Sequence, residues 1–364
     1  PYRNFSSAMS FHGQIDPELL NTISIFWLKA QPPTVQEHFA MGLAYICMMI
    51  LGVTGNSLVI YMFCRCRTLR TPSNTLVINL ALSDLGMMAK IPVVIYNSFH
   101  HGPALGALVC RLYGFIGGLT GTVSIGTLTA IAIERYHVIV YPLNSRSDAH
   151  LSLVIAFVWL YALFFSGIPL LDIGLGRYVP EGYITCCSFD YLTNPDGNLT
   201  ILGNSLDEKS SSSRCVPFLT IGYCYMQILR AVAFTNRLQS TKNRNKTEMK
   251  LTAVVFGVIA LWFVAWTPYA IVALLGITKY RNLITPFNSM LPAFFCKTAA
   301  CLNPYVYALT HPRFRQEIRR MLKSFGRKEN LKYVTSFSRV GTTRRVIREF
   351  SDANGENPQE ETHR

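Results

Sequence analysis

The chain has 364 residues, of which 50% are apolar and only 15% charged, with a formal net charge of +14 and a mean hydropathy of +0.26. That balance excludes an ordinary soluble protein of this size and makes a membrane protein the first expectation. The excess Lys and Arg lie between apolar stretches and in the tail rather than on one periodic face, so no nucleic-acid surface is indicated.

Residues 1–38 read as an extracellular N-terminal segment. Pro1 stands first, so the sequence is expected to begin inside the gene product, and no basic cleavable leader precedes the first apolar run. Membrane targeting is then left to an internal helix. Asn4, in Asn4-Phe5-Ser6, and Asn198, in Asn198-Leu199-Thr200, are glycosylation candidates on the expected outer side. Asn245-Lys246-Thr247 has the same pattern but falls on the expected inner side.

Apolar runs near 39–63, 74–99, 110–134, 151–173, 251–277 and 286–310 are long enough to cross a bilayer core, which takes about 20 helical residues for about 30 Å. A shorter run covers about 215–235. Each must be a helix, because a lone strand leaves its backbone groups unsatisfied in lipid. The expected fold class is all-α: a seven-transmembrane helix bundle across 39–310.

Cations cluster in alternate loops: Arg65, Arg67 and Arg70; Arg135 and Arg146; Arg237, Lys242, Arg244, Lys246 and Lys250. The positive-inside rule makes these loops cytoplasmic, which places the N-terminus outside. Over 311–325, Phe314, Ile318, Met321, Leu322 and Phe325 recur at helical spacing among cations, the pattern of an amphipathic helix on the lipids of the inner leaflet. The remaining tail, 326–364, is polar and reads as disordered, with Ser336, Ser338, Thr342, Thr343 and Ser351 available for phosphorylation.

The ten cysteines have neither the density of a disulfide miniprotein nor paired metal-ligand spacing with His. Cys110, Cys186, Cys187 and Cys215, near expected outer ends, are the disulfide candidates. No Ser/His/Asp or metal constellation appears, so no enzyme is indicated.

Between Asn282 and Pro312 the only charged side chain is Lys297, near the middle of the seventh span. An ammonium there costs several kcal/mol unless paired, neutralised or chemically used. Mid-span placement argues against snorkelling. A structural ion pair and a nucleophilic amine suited to condensing with an aldehyde both remain open from position alone.

The segment Phe295-Cys296-Lys297-Thr298-Ala299-Ala300-Cys301-Leu302-Asn303-Pro304-Tyr305-Val306-Tyr307 resembles the seventh helix of arthropod visual opsins, which are rhodopsin-like G-protein-coupled receptors. Further opsin-like stretches are Gly55-Asn56, Asn79-Leu80-Ala81-Leu82-Ser83-Asp84, Glu134-Arg135-Tyr136, Trp266-Thr267-Pro268-Tyr269 and Cys187-Ser188-Phe189-Asp190-Tyr191. The resemblance covers about residues 15–325.

It implies a light-activated receptor with 11-cis retinal or a 3-hydroxy derivative held on Lys297 as a Schiff base, and Trp266 and Tyr269 in the retinal pocket. It also implies a disulfide between Cys110 and Cys187, with Cys186 the rival partner. Glu134, Arg135, Tyr136, Glu248, Asp84, Asn56, Asn303, Pro304 and Tyr307 are implied activation-switch residues, with Arg135 and Glu248 in an ionic latch. Bottom-up, Pro268 and Pro304 permit kinks, while Asp84, Asn56 and Asn303 are polar groups that must bond one another inside the bundle.

No Asp or Glu occurs between Cys110 and Ile133, and Tyr113 stands where vertebrate visual pigments hold their counterion. Glu181 is the counterion candidate, against the plainer reading of a solvated loop carboxylate. Lys90, six residues after Asp84, resembles the second-helix lysine of insect ultraviolet pigments. Alternatively it snorkels outward or is itself the Schiff-base lysine. A fixed positive charge near the imine disfavours its protonation, which implies ultraviolet or short-wavelength absorption.

The implied partners are a heterotrimeric G protein of the Gq class, arrestin and a receptor kinase, in a plasma or photoreceptor membrane. The chain departs from the family before its fifth span: the polar stretch 203–214 cannot sit in hydrocarbon, and Cys215 to Leu229 spans only about 22 Å. The rival functions are a rhodopsin-like receptor for a diffusible ligand and a retinal-driven pump or transporter. The pump is disfavoured because only Asp84 lies deep in a span.

Overall fold

The computed structural model describes residues 16–66, 69, 72–140, 148–171, 176–192, 242–277, 280–310, 314–321 and 323. Asn4, Asn198, the polar stretch 203–214, the expected fifth span and most of the tail lie outside the described residues, as do the side chains of Glu248 and Tyr307. The chain divides into two compact units, Pro1–Pro312 and Arg313–Arg364. In the second unit, 314–321 are helical, with Arg320 donating to Glu317 at 2.8 Å.

Two short helices, α1 (Pro17–Thr22) and α2 (Ile25–Lys29), precede the spans. Asp16 caps α1 by accepting from Glu18 N at 3.0 Å, and its other oxygen accepts from Ala107 N at 3.0 Å. The backbone N–H groups of Ala107 and Glu18 hold its carboxyl below the usual range. Arg111 adds an ion pair to Glu18 at 2.9 Å.

The first span, α3 (Val35–Arg65), starts before the apolar run because Thr34 and Glu37 form a capping box. Its 31 residues reach about 46 Å. The expected second span, 74–99, is two helices, α4 (Pro72–Ala89) and α5 (Ile91–Phe99), interrupted at Lys90. Pro92 causes the break: it has no N–H to give, and its ring crowds the carbonyl one turn back.

The third span, α6 (Gly106–Val140), is followed by α7 (Asp148–Gly167), which ends in a 3-10 turn at Ile168–Leu170 around Pro169. Leu153, Phe157, Leu160 and Phe164 on α7 are exposed, as side chains facing lipid are. Then β1 (Tyr178–Glu181) and β2 (Cys186–Phe189) form an antiparallel hairpin with Glu181 opposite Cys186 and Pro180 opposite Cys187. Its turn needs positive φ at Gly182 (60°) and Ile184 (61°), and glycine also lets the turn approach the Pro286 carbonyl.

The sixth span, α8 (Lys242–Ile277), contains Pro268; the seventh, α9 (Pro286–Thr310), contains Pro292 and Pro304. Five helical segments among the described residues are long and apolar enough to cross a membrane. Polar side chains keep α9 out of that set; it packs between α3, α4 and α8.

One buried core gathers Leu19, Tyr45, Met48, Met88, Ile91 and Met290 around the hairpin. A second joins Ile23 and Trp27 to Ile184, Tyr191, Val272 and Ile284. The segment from α1 to α2 thus covers the hairpin with buried side chains, a feature the apolar runs do not announce.

Candidate functional site

Lys297, in the middle of α9, is 5% exposed. Its amine donates to the Ala293 carbonyl one turn back and lies 5.8 Å from the centre of the Tyr45 ring. Lys90 is the other buried lysine among the described residues. The break between α4 and α5 aims it inward, 4.4 Å from the centre of the Tyr113 ring, so it does not snorkel outward. A Cβ at Gly117 would collide with the Lys90 amine, so the bare backbone of α6 is what admits this cation.

The hairpin supplies the carboxylate. Glu181 is 2% exposed, which removes the reading of a solvated loop side chain. Its Oε1 accepts from Tyr191 Oη at 2.9 Å and Ser289 Oγ at 3.2 Å. Its Oε2 accepts from Tyr269 Oη at 3.3 Å. No ion pair within 4.0 Å joins Glu181 to Lys297 or Lys90; three hydroxyls hold the carboxylate instead. Cys187 bonds Cys110 of α6 and Cys186 remains a free, buried thiol, so the rival pairing does not form.

Aromatic walls complete the region. Trp266 stacks on Trp262 at 5.2 Å and meets Tyr269 edge-on at 6.3 Å. A Cβ at Gly121 would come within 3.0 Å of Trp266. Tyr178 donates to the Ser166 carbonyl at 3.0 Å and lies against Gly114 and Gly118. The hydroxyls of Tyr45 and Tyr113 are buried without a hydrogen-bond partner. A buried lysine amine amid aromatic rings, in a region that also holds Lys90 and the Glu181 carboxylate, suits an apolar aldehyde.

Deeper in the bundle, Asn303 Nδ2 donates to Asp84 at 2.8 Å. Asn56 donates to the Ala300 and Gly52 carbonyls, each at 2.9 Å. A Cβ at Gly55 would come within 3.0 Å of Pro304, so glycine permits α3 and α9 to touch there. At the far end of α6, Arg135 pairs with its neighbour Glu134 at 2.6 Å, and the Tyr136 ring meets His137 at 5.4 Å.

Residues 55–307 match the family of seven-transmembrane receptors of the rhodopsin family. The ultraviolet-sensitive opsin of Apis mellifera is 37% identical over 85% of this chain and 86% of that protein. Opsin Rh3 of Drosophila melanogaster is 37% identical over 84% of this chain and 83% of that protein. The crystal structure of squid rhodopsin aligns with a TM-score of 0.74 at 29% identity, covering 82% of this chain and 84% of that one.

The chain belongs to the opsins of this family.

As an opsin it is a light-activated, multi-pass membrane receptor that couples to a G protein, and not an enzyme. A receptor for a diffusible ligand is not favoured. The structure gathers Lys297, Lys90, Tyr113, Glu181, Trp266 and Tyr269 in one region, while Glu134 and Arg135 lie at the opposite end of α6. Sequence reasoning missed Tyr191 and Ser289, two of the three donors on Glu181. It also missed Asn79, which donates to Thr127 at 2.8 Å and accepts from Trp159 at 2.9 Å. Asn79 begins a stretch already read as opsin-like, which was the available signal.

Proposed function

We propose that this opsin is an ultraviolet or short-wavelength photoreceptor, with retinal attached covalently to Lys297 and a Gq-class G protein as its partner. The observation that carries the reading is that two buried lysines, Lys297 beside the Tyr45 ring and Lys90 over the Tyr113 ring, share a region with the buried carboxylate of Glu181. Retinal supplies an aldehyde that condenses with an amine and a conjugated chain that changes shape when it absorbs light. The 11-cis form or a 3-hydroxy derivative fits the same donor set.

The chain's own residues do the rest. Lys297 provides the attachment nitrogen, and its burial excludes water from it. Glu181 is the counterion available to that nitrogen, held by Tyr191, Ser289 and Tyr269 rather than by solvent. Lys90 opposes it: a fixed cation repels a second positive charge in a low-dielectric interior, favouring a neutral nitrogen at Lys297 Nζ. Trp266 and Tyr269 sit on α8 two residues before and one residue after Pro268, so pressure on these rings is applied at a flexible point of the helix. Glu134 holds the Arg135 guanidinium in its resting position at the far end of α6, and light-driven movement of α8 is what changes that position.

The Gq assignment rests on likeness to the scallop Mizuhopecten yessoensis protein named Gq-coupled rhodopsin, 36% identical over 82% of this chain and 62% of that protein. Ultraviolet absorption rests on the Apis mellifera relative and on Lys90. The distribution of loop cations supports an N-terminus outside, in a plasma or photoreceptor membrane. Arrestin and a receptor kinase acting on the Ser and Thr of the tail follow by family analogy.

The test is reconstitution of the purified receptor with 11-cis retinal. The expected result is an ultraviolet absorption band and a borohydride-fixed retinal adduct on the peptide containing Lys297, both lost in Lys297→Ala. An adduct that persists in Lys297→Ala would move the attachment to another amine, Lys90 first, and a visible band would overturn the wavelength assignment.

A further inference from the structure

The first span ends in a thiol that the retinal region does not use. On α3, Gly52 and Gly55 abut Met88 and Pro304, and Val59, Met62 and Phe63 are buried, so this face packs into the bundle. Ile50, Thr54, Leu58, Tyr61 and Cys64 recur every three to four residues on the other face, and all are exposed. On a spanning helix, an exposed and largely apolar face of this kind meets lipid.

Depth sets Cys64 apart on that face. The apolar run 39–63 ends one residue before it, and Arg65, Arg67 and Arg70 follow. Arg65 is the last residue of the helix and Cys66 its C-cap. Cys64 therefore stands where hydrocarbon gives way to headgroups. A helical Cα–Cβ bond tilts toward the helix N-terminus, so this side chain leans back toward Tyr61 and the lipid tails rather than out into water.

The neighbouring cysteines each fail one of these conditions. Cys47 is also exposed on α3, but it lies about 26 Å back along the helix, toward the outer leaflet. Cys66 is half-buried, and the chain after it turns inward: its carbonyl accepts from Leu69 N at 3.0 Å, and Leu69 is fully buried. A cysteine that serves packing is buried, as Cys296 and Cys301 are; Cys64 is not. In the sequence, the other expected inner segments, 135–150, 236–250 and 311–364, contain no cysteine.

We infer that Cys64 is an S-acylation site, carrying a long-chain fatty acyl group as a thioester in the inner leaflet. The inference goes beyond the retinal reading and rests only on the proposed orientation, which puts this end of α3 on the cytoplasmic side. Juxtamembrane thiols are the usual substrates of this reversible modification. The acyl donor is a fatty acyl-coenzyme A, delivered by a membrane acyltransferase. Cys64 Sγ attacks the acyl carbonyl carbon, a C–S bond forms there, and the donor's own C–S bond breaks. The thiol proton passes to the departing coenzyme A thiolate, and no electrons are exchanged, so no oxidant enters. Arg65, Arg67 and Arg70 suit the phosphates of both the donor and the leaflet. The attached chain runs back along Tyr61, Leu58 and Thr54 among the lipid tails.

The experiment expresses the full-length receptor in cultured animal cells fed an alkyne analogue of palmitate. Label per receptor is read with and without neutral hydroxylamine, which cleaves thioesters. Wild type is expected to carry hydroxylamine-sensitive label that is lost in Cys64→Ser and kept in Cys47→Ser and Cys66→Ser. Mass spectrometry of the wild-type peptide containing Cys64 does not depend on how any variant folds, and one acyl chain is expected on it. An epitope added before Pro1 and stained on intact cells reads the orientation separately, so that a reversed topology is distinguished from an unmodified thiol. Wild type without label, or label that survives Cys64→Ser, overturns the assignment.

Discussion

Lys90 has no carboxylate within 4.0 Å and rests instead on the electron-rich face of Tyr113, 4.4 Å from its centre. A cation over an aromatic ring recovers about 0.5–2 kcal/mol, far less than burying an ammonium costs. Such a cation has to be reconciled with the nearby Lys297 amine. Lys90→Glu reverses the local field: it supplies a negative charge beside Tyr113 and favours a proton on the Lys297 nitrogen. The expected outcome is a shift of the reconstituted absorption band from the ultraviolet into the visible. A band that stays in the ultraviolet would show that Lys90 does not set the wavelength.

The site's main residues were legible because each violates a simple rule: a lysine in the middle of an apolar span, a second cation after Asp84, no acid between Cys110 and Ile133 of the third span. Tyr191 and Ser289 violate none. They lie ten residues after and 108 residues after Glu181 in the chain, and only the hairpin's fold over α9 brings their hydroxyls to one carboxylate. Tyr191 closes a stretch already read as opsin-like, but nothing local to it or to Ser289 announces a pairing with Glu181.

Among the elements, the long helices were legible from apolar run length, and their ends were not. Capping at Thr34 lengthens α3 beyond its apolar run, and Pro92 splits the second span in a stretch whose hydropathy is continuous. The helices α1 and α2 are too short for periodicity to distinguish, yet Leu19 and Trp27 are 1% and 2% exposed. The hairpin has strands of four residues within a loop; its likeness to the opsin second outer loop predicted its position but not its register.

That hairpin has a pH signature. Burial pushes the phenols of Tyr178 and Tyr183 up to about 12, against about 10 in an unfolded chain. Between these values the unfolded state releases protons that the folded state retains, so stability falls as pH rises from 10 toward 12. Below pH 10 both states are protonated and the effect is absent. The expected outcome is a thermal midpoint that drops across this window, with a shallower drop in Tyr178→Phe. An identical slope in that variant would place the titrating group elsewhere.

At the scale of the whole molecule, the two ends of the bundle are joined by helices containing the features that let helices bend. Pro268 in α8 and Pro292 and Pro304 in α9 each remove a backbone donor. Between the ends lies a polar seam of Asp84, Asn303, Ser124 and Asn56, whose bonds run between helices, so rearranging it moves one helix relative to another. The two-residue pair at the far end, Glu134 with Arg135, has side chains only 11% and 9% exposed. An ion pair that dry is costly to open by removing one partner, yet a neighbouring pair on a single helix cannot itself hold α8.

On the proposed reading it acts by fixing where the Arg135 guanidinium points. Glu134→Gln removes the charge while keeping the shape, which frees Arg135 to leave its resting position without light. The expected outcome is a several-fold higher rate of nucleotide exchange on a Gq heterotrimer in the dark, with the light-driven rate retained. Because the amide leaves the retinal region untouched, the absorption band is expected not to move. A shifted band would mean that the variant perturbs the bundle as a whole rather than releasing the end that holds Arg135, and an unchanged dark rate would mean that the resting state is held by the polar seam and not by this pair.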